Sequence, residues 1–204
     1  PTLSSAASDV YKRQEGKSRR AIRNVALSYL GKLGGKDAEV MALLNTSFKE
    51  ATNMTDQMAA LGAICGNPGQ DRDNALKSFY DQWSNEPLVI LKWLGLQAGS
   101  NIEGNLKVMK ELLDHPAFDI KNPNKVYSLI GGFTRSAVNY HAADGSGYEF
   151  LADIVIKLDK LNPQVAARMV GPFTKYKKYD EGRQTHIRGQ LQRILDSKPC
   201  ENVY

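Results

Sequence analysis

From Ser18 onward, apolar residues recur every three to four positions, and no useful length of the chain alternates with period two. Such a chain buries its apolar surface by laying helix on helix. The breaks fall at turn residues: Gly34-Gly35, Gly66-Asn67-Pro68-Gly69, Glu86-Pro87, Pro116 and Asn162-Pro163. Between them the spacing predicts short helices. The first carries the stripe Ile22, Val25, Ala26, Tyr29, Leu30 and Leu33. A second, capped by Asp37, carries Val40, Leu43, Leu44 and Phe48. The third opens at Asn53 or Thr55 and turns Met58, Leu61, Ile64 and Cys65 inward. Leu76, Phe79, Tyr80 and Trp83 mark a fourth, and Leu88, Leu91, Trp93 and Leu94 a fifth. A sixth follows an Asn101 cap with Leu106, Met109, Leu112 and Leu113. A seventh runs from about Asn124 to Phe133, weakened at its end by Gly131-Gly132, and the last from about Asp180 to Leu195. The predicted fold is all-α, an irregular solenoid of stacked antiparallel helix pairs without a fixed-period repeat.

The stretch from Asp144 to Arg168, DGSGYEFLADIVIKLDKLNPQVAAR, reads as a turn, a helix, a corner and a second helix. In the Asp144-Gly145-Ser146 turn an Asp or Ser side chain can accept from the open N–H groups that follow. Phe150, Leu151, Ile154, Val155 and Leu158 give the first helix one apolar face. Asn162 stops it and caps the next, whose first position is Pro163, where a missing N–H costs nothing. Gln164 and Arg168, four apart, share a face of that second helix. On spacing alone they are either a surface pair on a helical hairpin or two groups aimed at one ligand.

Several blocks carry a family resemblance: DGSGY, LDKLNPQVAAR and YKKYDEGRQ, with ALSYL (Ala26–Leu30), ATNMTDQMAAL (Ala51–Leu61), FYDQW (Phe79–Trp83), HPAFD (His115–Asp119) and NPNKVYSLIGGF (Asn122–Phe133) before them. In this order they resemble the C-terminal helical domain of the aminopeptidase N family of zinc metallopeptidases, over nearly all of the chain beyond residue 15. The resemblance implies an arc of helices that closes over a catalytic domain of the same chain. It implies a peptide substrate whose backbone or C-terminal end Gln164 and Arg168 contact, and a zinc ion in the full-length enzyme. It also implies an intracellular enzyme, cytoplasmic or organellar. Two departures stand out: Leu91 occupies a position where relatives carry an acidic residue shortly before the tryptophan, and the family continues beyond Tyr204 through a final short helix. The piece is therefore expected to expose apolar surface where the remainder packs.

The fragment itself is expected to be catalytically inert and to bind no metal. A zinc peptidase of this kind needs a helical His-Glu-x-x-His pair, which sets two imidazoles on one metal with a carboxylate beside the bound water. The chain's three histidines, His115, His141 and His186, lie far apart, and none precedes a Glu. Its two cysteines, Cys65 and Cys200, form no paired metal spacing, and Cys65 falls in an apolar helix. No phosphate-cradling glycine loop or nucleophile motif is present. No run approaches the ~20 apolar residues that span a bilayer, so no membrane partner is expected.

The net charge of +5 is concentrated between Arg168 and Lys198, where eight basic residues face three acidic ones. Such a strip is either a solvated helix face or an attractor of nucleic acid. Its aromatics, Phe173, Tyr176 and Tyr179, sit at one end only, and no nucleic-acid partner is expected. Residues 1–14 are set apart, because Ser4–Gln14 (SSAASDVYKRQ) resembles a translated sequencing-library adapter; a non-native or disordered arm is expected there, and residues 15–204 carry the aminopeptidase-like domain. The alternative to a piece of an enzyme is a non-catalytic helical scaffold that binds a protein partner.

Overall fold

The computed structural model describes residues 5–197, with side chains at 14 and from 16 onward. Every regular element among them is helical: α1 (Ser5–Leu30), α2 (Ala38–Lys49), α3 (Met54–Cys65), α4 (Gln70–Trp83), α5 (Pro87–Ala98), α6 (Leu106–Leu113), α7 (Pro123–Phe133), α8 (Ala137–Tyr140), α9 (Ser146–Asp159), α10 (Pro163–Met169), a 3₁₀ segment (Gly171–Lys178) and α11 (Glu181–Asp196). The chain divides into two compact units between Gln82 and Trp83.

In the first unit α3 is the common neighbour of α1 and α2. Asp37 caps α2 by accepting from the Glu39 and Val40 amides, and Asn53 caps α3 by accepting from Asp56. Leu44, Phe48, Leu61, Ile64 and Phe79 are buried, with Phe48 and Phe79 rings 6.5 Å apart. The loop after α1 is pinned by the buried Asn67. Its Nδ2 donates to the Gly31 carbonyl at 2.8 Å and to the Ala63 carbonyl at 3.1 Å, and its Oδ1 accepts from the Gly35 amide at 2.8 Å.

The stripe expected along α1 is apolar, but it does not face the core. Ile22, Val25, Tyr29 and Leu33 are exposed, and Leu27 is the residue buried instead. Periodicity locates an apolar face without saying what covers it. Leu43 and Leu88, also expected inward, are exposed as well.

In the second unit α5 packs against α7 more extensively than any other pair. Gly132 makes this possible: a Cβ there would lie 2.8 Å from the Ala98 Cβ. The Gly131-Gly132 step therefore sits inside α7, which continues to Phe133. The sixth helix starts at Leu106, not after Asn101. Asn101 instead accepts from the Ser136 hydroxyl at 3.2 Å. The intervening loop is held by the buried Asn139, whose Nδ2 donates to the Ser100 and Ile102 carbonyls and whose Oδ1 accepts from the Asn105 amide. The short α8 that supplies Ser136's neighbours and the 3₁₀ segment carry no periodic signal, and the sequence reading contains neither. Cys65 is a buried free thiol, pushed up to about 12 by burial, with Arg72 opposing and Asp73 adding to the shift. Cys200 lies outside the described residues.

Candidate functional site

The DGSGY turn is a structural joint. The Asp144 carboxylate accepts from the Ser146 amide at 2.9 Å and from its hydroxyl at 2.7 Å, and these bonds hold its pKa below the ordinary carboxylate range. Gly145 adopts φ +77 with its α-carbon against the His186 ring, where a Cβ would come within 2.6 Å. A Cβ on Gly147 would meet the Tyr140 carbonyl oxygen at 2.4 Å, so only glycine lets α9 start this close to α8. Tyr148, fully buried, then shares a 2.8 Å hydrogen bond with His141 Nδ1.

Around that bond the rings interlock. Tyr140 meets Tyr148 edge-on at 5.2 Å and Phe133 at 6.1 Å, and His141 lies 4.4 Å from the Tyr179 ring. Burial raises the Tyr140 hydroxyl and pushes the Tyr148 hydroxyl up to about 12, so both stay protonated at neutral pH. Burial, and then the Arg183 guanidinium, lower His141 below the usual imidazole value. Arg183 donates from Nε to the His141 carbonyl at 2.8 Å and pairs with Asp180 at 2.6 Å. His115 is likewise lowered by burial, and its Nδ1 accepts from the Ala117 amide at 3.0 Å. Among the described residues no three His, Cys, Asp or Glu side chains are grouped to hold a metal ion.

Gln164 and Arg168 stand on α10. Asn162 accepts from the Val165 amide at 3.2 Å, and Pro163 takes the first turn. Val165, Ala166 and Met169 are buried, which turns Gln164 and Arg168 to the exposed side. Arg168 is not loose. It donates from Nη1 to the Tyr127 hydroxyl of α7 at 3.3 Å, and its guanidinium lies 5.8 Å from that ring's centroid. One of five N–H donors is thus engaged, and the planar group is oriented by an aromatic face. An oriented guanidinium beside an amide that both donates and accepts can bind a carboxylate or peptide carbonyl. No spacing signal ties Tyr127 to Arg168, because the two stand 41 residues apart.

Two cations of the basic strip serve the fold. Arg183 is bonded as described, and Arg193 pairs with Asp153 and donates to Gln190 at 2.8 Å. Lys198 lies outside the described residues. Among the described residues no helix is long and apolar enough to cross a membrane.

Comparison with known proteins finds a match over residues 2–204 to a family model described as a domain of unknown function (DUF3458_C) with ARM repeats. Aminopeptidase N of Escherichia coli (strain K12) is 38% identical over 187 residues, covering 91% of this chain and 21% of that protein. Aminopeptidase N of Haemophilus influenzae is 36% identical over 184 residues, covering 89% of this chain and 20% of that protein. Among solved structures, Legionella pneumophila aminopeptidase A, in complex with aspartic acid, superposes with a TM-score of 0.82 at 34% identity, over 87% of this chain and 21% of the other. The chain thus spans about a fifth of the length of the relatives it matches.

Proposed function

This chain belongs to the DUF3458_C family of ARM-repeat domains, and we propose that it is the helical portion of a zinc aminopeptidase, where it closes over the catalytic portion and lines the substrate chamber. The observation that carries the reading is the identity to proteins named aminopeptidase N, 36–38% over about nine-tenths of this chain. The zinc ion does not fit the residues described here: His115 and His141 already spend Nδ1 on other groups, and no third ligand joins either of them. Its ligands would lie in the part of the relatives that this chain does not span.

Within the chamber, Gln164 and Arg168 would contact the peptide, with Arg168 presenting a permanent positive charge to a carbonyl or C-terminal carboxylate. Tyr127 would act as the positioning residue, fixing the guanidinium plane. Loss of a charged hydrogen bond weakens binding about 10- to 100-fold.

The test uses the longer polypeptide encoded by the source transcript. Arg168→Met should raise KM for free peptides about tenfold or more, with kcat nearly unchanged. Tyr127→Phe should reproduce a smaller part of that rise. Unaltered peptide KM in both variants would remove Arg168 from the site. A longer sequence without a His-Glu-x-x-His segment would remove the enzyme reading altogether and leave a helical scaffold.

A further inference from the structure

Over its last turns, residues 22–30, helix α1 carries apolar residues on two opposite sides. At about 100° per residue, Ile22, Val25 and Tyr29 cluster on one side, and Leu27 lies about 160° away from their centre. The Leu27 side is used. Gly31 approaches α3 so closely that a Cβ would sit 2.9 Å from the Ala63 Cβ, and Asn24 donates to Asp56 at 3.1 Å. The other side is bare, with Ile22 and Tyr29 each 73% exposed and Val25 56%, and Leu33, in the turn after α1, is 52% exposed as well. Beside it runs a groove of about 580 Å³, lined by Val25, Ser28, Tyr29, Met58, Gly62 and Gly66 among others. Its α3 wall is short of side-chain bulk, so a third backbone can come close to α3.

A surface helix needs one apolar stripe, and large apolar residues outside that stripe are buried only when a second layer packs on them. In ARM-type arrays each repeat buries its faces on its neighbours, and a repeat that ends the array carries a polar outer face. The outer face of α1 is not polar. We propose that it is a repeat seam, which seats an amphipathic helix from a neighbouring helical repeat of the same longer polypeptide. The occupant follows from length: about four-fifths of each matched relative lies outside the span of this chain. The seam rests on the proposed reading only in that this chain forms part of a longer protein.

Thiol labelling tests it, in the 204-residue chain and in the longer polypeptide. Val25→Cys and Tyr29→Cys are made with Cys200→Ser, and the buried Cys65 supplies a slow background. In the 204-residue chain both positions should react as fast as a free thiol. In the longer polypeptide they should slow at least tenfold. Equal rates in the two proteins overturn the seam. Slow, concentration-dependent labelling in the 204-residue chain, with dimers in sedimentation, assigns the face to a second copy and also overturns it. The paired variant Val25→Asp, Tyr29→Asp gives an independent reading. It should leave the melting temperature of the 204-residue chain within about 2 °C and lower that of the longer polypeptide by more. Protection in a polypeptide without peptidase activity would sustain the seam and remove the enzyme reading. Peptidase activity without protection would do the reverse.

Discussion

Tyr140 in the second unit is enclosed by the rings of Phe133 on α7, Tyr148 on α9 and His141 just after α8, whereas the last turns of α1 in the first unit are covered on one side only. Both regions are rich in apolar residues. In the second unit Phe133, Tyr140, Tyr148 and Phe173 are all fully or almost fully buried. In the first unit Ile22, Val25 and Tyr29 of α1 and Leu33 of the following turn are all exposed. Composition therefore does not separate a finished core from an open one. The separation comes from whether the chain supplies a second layer, and around α9 it does: α8, α10 and α11 all pack on it.

The contrast can be broken most forcefully at Phe133. Phe133→Ala should cost about 3–5 kcal/mol in urea denaturation, because the surrounding rings cannot collapse into the space. A loss below about 1 kcal/mol would mean that the aromatic core is looser than its geometry. Asn67→Ala comes next, at about 2 kcal/mol, since the Gly31 and Ala63 carbonyls and the Gly35 amide all lose a buried partner. That result would show the first unit to be held by a polar pin as firmly as by its core.

Acid should separate the units. His115 and His141 have folded pKa values below the ordinary 6.5, so the unfolded chain binds more protons, and stability falls as the pH drops below about 6.5. Both residues lie in the second unit. In the first unit, burial raises Asp56, but bonds from Arg23, Asn53 and Asn24 outweigh it, leaving a net lowering. Its contribution is complete above the ordinary 3.8 and is lost only as the pH falls through its lower folded value. Urea midpoints at pH 7, 5.5 and 3.5 would read the order of loss, and His141→Asn should flatten the first step. The smallest effect belongs to the open face: Tyr29→Ala in the 204-residue chain should change stability by about 0.5 kcal/mol or less. A larger loss there would mean that Tyr29 is already packed.

Much of this molecule is legible in its sequence, for local reasons. Caps announce themselves through residue type, as at Asp37, Asn53 and Asn162, and the all-α class follows from spacing alone. Elements held by distant partners do not announce themselves. The sixth helix starts beyond Asn101 because Ser136 and Asn139, more than thirty residues on, seize the 100–105 loop. The Gln164 and Arg168 pair is legible as a shared helical face, but Tyr127, which orients the guanidinium, is not. The α1 stripe reads as core in the sequence because an apolar period records that a face is meant to be covered, not which polypeptide covers it.

Two of the buried asparagines have a consequence for how the protein opens. The Gly35 and Asn105 amides lie in connecting loops, yet each donates to the side chain of a buried asparagine, Asn67 and Asn139 respectively. Loop amides ordinarily trade their hydrogen for deuterium first. These two should keep theirs until the helices they bridge come apart, so an isotope-exchange map would show islands of slow exchange inside fast segments. The loops are rivets as well as connections.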